Sequence, residues 1–139
     1  MQERQHAKEQ RFLEFLKDYC IRNNRKFEDV HDDYSTGIDV YLDDKPYDLK
    51  VSNSRKLTIF KCYKGHWYCP LLEHQDIPYM YVIEEESRFI GFVINKSRVL
   101  ERLKGGIETY TGDGNINKIT ELNSISDFAE DIQVFKRSI

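Results

Sequence analysis

No stretch of the chain approaches the roughly 18 consecutive apolar residues that a membrane-spanning helix needs. The opening residues Met1-Gln2-Glu3-Arg4-Gln5-His6 also lack the apolar core of a secretory signal. Three cysteines, Cys20, Cys62 and Cys69, are odd in number and show no framework spacing, which fits reduced thiols better than disulfides. The expected setting is soluble and cytoplasmic, with no membrane partner. No internal repeat or low-complexity tract occurs. Disorder is excluded as well, because 40% of the residues are hydrophobic and 13% aromatic, enough to offset the entropy of ordering a chain. At 139 residues, positions 1–139 are expected to form a single domain, large enough for a real core but not for two.

What is present concentrates between Gly37 and Ser52. Ile38, Val40 and Leu42 alternate with polar residues, and Tyr47, Leu49 and Val51 then do the same, which is the period of half-buried strands. Asp43, Asp44 and Pro46 break the run, so the stretch predicts a hairpin. With a two-residue turn at Asp43 and Asp44, Asp39 falls directly opposite Asp48, on the face that also carries Lys50, since side chains alternate along a strand. Like charges facing each other across a ladder cost a few tenths to about 1 kcal/mol, so a fold that keeps them needs a compensating cation. Mg²⁺ (or Mn²⁺) suits the position: Mg²⁺ takes oxygen ligands and keeps several waters, so Asp39 and Asp48 with the backbone carbonyl of Leu49 make an ordinary site. Lys50 can then hold an attacking water or steady charge building on a phosphate. The plainer alternative is a solvated face with an exposed salt bridge, worth little.

An Asp on one strand, a short hairpin, and Asp48-Leu49-Lys50 on the next strand resemble the active-site motif of the PD-(D/E)XK nuclease superfamily, which includes restriction-endonuclease-like and Holliday-junction-resolvase-like enzymes. Ile38 stands where the family has its leading Pro. The resemblance covers residues 5–100 in element order, and its informative motif is the hairpin. It implies Mg²⁺-dependent cleavage of a phosphodiester bond in DNA, with Asp39, Asp48 and Lys50 catalytic and the carboxylates on metal.

Residues 5–23 predict the first helix, with Phe12, Leu13, Leu16, Tyr19 and Cys20 recurring at three and four. Glu9 lands near the middle of that apolar arc and Glu14 well outside it. A carboxylate on a buried stripe must be paired or bind metal, and several branches of the family use a Glu from this helix, so Glu9 joins the candidate catalytic and metal-binding set. The alternative is a solvated first turn, where a negative charge suits the helix dipole.

Charge is segregated along the chain. From Glu28 to Asp48 there are eight acidic residues against the single Lys45, whereas from Leu49 to Leu72 there is no acid. The second stretch carries Lys50, Arg55, Lys56, Lys61 and Lys64. An acidic metal pocket beside a basic strip is what a nuclease needs, and Arg55, Lys56, Lys61 and Lys64 are the candidate nucleic-acid contacts. The net charge of −3 argues mildly the other way.

The remaining expectations follow the chain. Residues 25–32 predict a weak first strand, with His31 as a candidate base or a polar surface residue. Residues 57–60 predict a strand, followed by a turn at Lys64-Gly65 and a second hairpin through Trp67-Tyr68-Cys69, with a short helix near 71–75. The commonest family layout has a helix after the Lys-bearing strand, so this is a departure. Cys62, His66, Cys69 and His74 have a spacing that can in principle wrap a tetrahedral zinc, but the usual paired C-x2-C is missing and cysteines on strands are usually small core residues. Gln75 to Tyr79 matches a Q-x3-Y motif of an exonuclease branch, but Pro78 would break the helix on which it works. Trp67, Tyr63 and Tyr68 either stack unpaired bases or pack a sheet against a helix. Residues 79–84 and 88–94 predict central strands. Ser97 is expected to cap a basic helix that Gly105-Gly106 stops. An edge strand is expected at 118–122 and a last helix at 127–136, capped by Ser126.

The fold class expected is α/β (α+β): a central mixed β-sheet flanked by helices, a restriction-endonuclease-like core. DNA is the expected partner, RNA the alternative nucleic acid, and a homodimer an option because cutting two strands favours two sites. The rival reading is a non-catalytic interaction module on the same scaffold.

Overall fold

The structure, a computed structural model, describes residues 5–31, 35–53, 55–63, 66–104, 110–113, 118–122 and 125–137. Helix α1 spans Gln5–Arg22 and strand β1 Phe27–Asp29. The hairpin is β2, Val40–Leu42, and β3, Lys45–Ser52. Strands β4, Leu57–Tyr63, and β5, His66–Tyr68, follow, then a 3-10 turn at Pro70–Leu72. Next come β6, Tyr79–Glu84, β7, Arg88–Ile94, and helix α2, Lys96–Lys104. Strands β8, Tyr110–Asp113, and β9, Lys118–Leu122, precede a second 3-10 turn, Ile125–Phe128, and β10, Ala129–Lys136.

The fold is α+β. A six-stranded mixed sheet has the order β1-β2-β3-β6-β7-β10, and a four-stranded sheet has the order β5-β4-β9-β8. Within the larger sheet β3 and β6 run parallel, while the other neighbours are antiparallel. Alternation divides its side chains between two cores. Phe12, Leu13, Leu16 and Cys20 of α1 cover Tyr47, Leu49, Val51, Met80, Val82, Phe89 and Phe135 on one face. On the other, Tyr79, Tyr81, Ile83, Ile90, Phe92 and Ile94 pack with Val99 of α2, Leu57, Leu71 and Ile125. Phe12 sits edge-on to both Phe89 and Phe135 at 5.1 and 6.0 Å, and each such buried side chain contributes about 1.5–3 kcal/mol. Helix α1 and the two central strands thus form where the periodicity places them.

Four expectations need correcting. Residues 127–136 are not a helix: Phe128, Ile132 and Phe135 have helical spacing, but β7 offers an unpaired edge, and β10 takes it, with Phe135 opposite Phe89. Ile132 and Val134 are β-branched and suit that strand. Residues 118–122 form an inner strand, because β8 adds to the far side of β9. The cap of α2 is Asn95, whose Oδ1 accepts from Arg98 N at 3.2 Å, and Ser97 lies inside the helix. The short helix near 71–75 reduces to the 3-10 turn, where Pro70 occupies the first turn. Gly65, Gly105 and Gly106 lie outside the described residues. Among the described residues no helix is long and apolar enough to cross a membrane.

Candidate functional site

Local chemistry sets the hairpin. Asp43 and Asp44 have φ of 51° and 67°, the left-handed pair required by the two-residue turn that matches strand twist. Arg25 holds Asp43 at 2.6 Å, and Lys26 holds Asp44 at 3.1 Å. The turn fixes the register as Leu42 opposite Lys45, Tyr41 opposite Pro46 and Val40 opposite Tyr47. Asp39 lies one residue before β2 and donates its N–H at 2.9 Å to the carbonyl of Tyr47, the residue already opposite Val40, so the regular register ends there and does not set Asp39 directly opposite Asp48. Along β3, Tyr47, Leu49 and Val51 are buried under α1, while Asp48, Lys50 and Ser52 emerge on the opposite face.

The two carboxyl groups meet. Asp39 Oδ2 accepts the Leu49 N–H at 2.7 Å. Burial pushes the Asp39 carboxyl up to about 6, the Leu49 N–H opposes the rise, and the charge of Asp48, a hydrogen bond to Asp48 and the charge of Glu9 all raise it further. A hydrogen bond between two carboxyl groups requires that one carry a proton. Glu9, half-buried on α1, therefore lies within the field of the pair. Among the described residues no group of three or more His, Cys, Asp or Glu side chains that could hold a metal ion occurs.

The cation that the chain itself supplies is Lys96. It is fully buried, at 0% exposure, and its Nζ lies 2.8 Å from Asp48 Oδ2, itself 20% exposed. Nζ also donates to the carbonyls of Glu73 and His74 at 3.1 and 3.4 Å and sits 4.5 Å from the centre of the Tyr79 ring. Burial and the neighbouring charges of Asp48 and Glu73 push the Tyr79 phenol up. A buried cation at the first residue of a helix opposes the dipole there, so the pair with Asp48 offsets a real cost. Lys96 arrives by pairing: Asp48 neighbours Tyr79 on β6, and Tyr79 neighbours Ile94 on β7, two residues before Lys96. No local sequence signal marks it.

Lys50 is exposed, and its Nζ lies 5.9 Å from the centre of the same ring. Asp39, Asp48 and Lys96 are thus brought together, with Lys50 at the rim. Arg55 is exposed, with its guanidinium 5.7 Å from the Phe92 ring, and the Lys56 carbonyl accepts from Tyr81 Oη at 3.0 Å. Both therefore stand on the sheet face that carries Asp48. The Lys61 side chain and Lys64 lie outside the described residues, as do the side chains of Cys62, Tyr63 and Trp67. Of the zinc candidates, Cys69 is a buried thiol while His66 and His74 are exposed. Tyr79 opens a strand rather than lying on a helix. His31 Nδ1 bonds to Asp29 Oδ1.

The donor set fits Mg²⁺. Two carboxylates are hard oxygen ligands, and the Leu49 C=O leaves the strand on the same side as the N–H that Asp39 takes. No protein-family model, no curated protein and no solved structure matches the chain.

Proposed function

We propose that the chain is a Mg²⁺-dependent phosphodiesterase acting on nucleic acid, DNA first, with a PD-(D/E)XK-like core. The observation that carries this reading is the carboxyl pair: Asp39 is lifted to about 6 by its burial and by Asp48 and Glu9. Raised carboxyl values of this kind cluster where a charge has been built to meet a ligand. The element order α1, β1, β2, β3 and then the parallel strand β6 supports the resemblance, with the β4–β5 hairpin standing where the commonest layout has a helix. In this reading Asp39, Asp48 and the Leu49 carbonyl would hold the ion, and Glu9 would complete or extend the shell. Bound Mg²⁺ supplies a water of lowered pKa and neutralises charge on the phosphate. Lys96 fixes the rotamer of Asp48, Lys50 orients the attacking water from the rim, and Arg55 and Lys56 lie along the track for the phosphate backbone. Cys20 and Cys69 remain thiols in the cytoplasm to which this reading assigns the chain.

A second reading, a non-catalytic interaction module on the same scaffold, is favoured by one observation: Asp48 already has a buried cation in Lys96. The test is a panel of DNA and RNA substrates assayed with Mg²⁺ or Mn²⁺, for the native chain, Asp39→Asn and Asp48→Asn. Metal-dependent DNA cleavage lost in both variants supports the proposal. Cleavage of RNA alone redirects it to a ribonuclease, and binding without cleavage selects the module.

A further inference from the structure

Strand β10 closes one end of the six-stranded sheet, and among the described residues no strand pairs with its outer edge. Two large apolar side chains on it, Ile132 and Val134, are 51% and 43% exposed. We propose that this edge is the contact between two copies of the chain, joined antiparallel through β10 about a two-fold axis at Gln133.

Three features of β10 converge on that register. The first is backbone direction. Arg137 N donates to Ser87 O at 2.9 Å, just beyond the Lys136–Arg88 pair. Backbone groups alternate along a strand, so the N–H and C=O of Asp131, Gln133 and Phe135 serve β7, while those of Ile132 and Val134 point outward. The second is facing. A two-fold axis perpendicular to a sheet keeps each face with itself, so opposed residues must share a face. Centring on Gln133 sets Ile132 of each copy against Val134 of the other, apolar against apolar, in pairs whose outward groups exchange about four hydrogen bonds.

The third is charge. Glu130 and Asp131 stand near the start of the strand, and Lys136 ends it with Arg137 just beyond. Antiparallel pairing brings Glu130 against Lys136 of the second copy, whereas parallel pairing would align like charges. Glu130 already bonds Arg98 at 2.7 Å, so it would be shared between two cations. The side chain of Gln133 is engaged on the inner face by Arg25 at 3.3 Å and by Tyr47, and does not obstruct the axis. The irregularity between Ala129 and Asp131 places Glu130 at the end of the regular segment, so its carboxylate meets Lys136 of the second copy by side-chain reach rather than by strict register. The contact is isologous and closes at two copies, leaving the hairpin sites outside it.

Sedimentation equilibrium of the full chain across a wide concentration range tests this. The native chain is expected to be a dimer. Val134→Pro removes one outward N–H without touching the β10–β7 ladder, a substitution that edge strands tolerate, and is expected to give a folded monomer with an unchanged circular dichroism spectrum. Lys136→Glu is expected to raise the dimer dissociation constant about tenfold, because a two-fold axis counts each pair twice. Exchanging the charges in Glu130→Lys/Lys136→Glu is expected to restore it. A native chain that is monomeric throughout, or a dimer that survives Val134→Pro, overturns the proposal. If Val134→Pro does not fold, an unaltered dissociation constant for Lys136→Glu overturns it.

Discussion

The two faces of β3 come from one alternating run and serve opposite ends. Tyr47, Leu49 and Val51 are buried against α1 and contribute stability through apolar area. Asp48 and Lys50, one residue out of step, face the other way, where Lys96 is paired with Asp48. Substitutions on the first face are expected to act on stability alone. On the second face they are expected to separate stability from binding, because the charges there are held against their preference.

The largest expected loss comes from the apolar face. Leu49→Ala is expected to cost about 2–5 kcal/mol in urea unfolding, from lost transfer energy and the cavity left behind. Asp48→Asn follows, leaving the buried Lys96 ammonium without its partner. Breaking a buried pair costs about 3–5 kcal/mol, and the 20% exposure of Asp48 places this one at the lower end. Adding Lys96→Met to Asp48→Asn is expected to recover part of that loss, and failure to recover would mean that the pair is not what the cost reflects.

Gly37→Ala is expected to cost about 1–2 kcal/mol, since Gly37 has φ of +72° and an added Cβ would fall 2.3 Å from the His74 ring. Asp39 sharpens the comparison further through pH. Its carboxyl rises from 3.8 to about 6 on folding, so the native state binds more protons than the unfolded chain between those values. Stability contributed by protonated Asp39 is therefore full below about 4 and is lost as pH rises through about 6. Asp39→Asn is expected to remove that slope in unfolding measured across this range. Added Mg²⁺ is expected to release the proton and lower the Asp39 value in a carboxyl titration followed by NMR. Smallest in stability is Lys50→Ala, expected to stay within about 0.5 kcal/mol while reducing cleavage, a split that Leu49→Ala cannot show.

The hairpin was legible because turn chemistry and alternation are local. Asp43-Asp44 sets the turn, and the turn sets the register as far as Val40 opposite Tyr47; the irregular step at Asp39, which brings its carboxyl to that of Asp48, was not part of that pattern. The 79–84 and 88–94 strands were legible for the same reason, as continuous apolar runs. Residues 127–136 were not, because Phe128, Ile132 and Phe135 follow helical spacing and do not share one face of a strand, and the open edge of β7 overrode that pattern. Lys96 was not legible either: nothing near Asn95-Lys96-Ser97 separates a buried ammonium from a solvated one.

By itself, then, the sequence determined which residues can bend, alternate and bury, since those preferences act within a few positions of the chain. Only the tertiary structure decided what meets across the sheet. Laying β6 between β3 and β7 carries the start of α2 to Asp48, and the burial that results sets the ionisation of Asp39. Burial and charge proximity are sums over distant segments, so no window of sequence contains them.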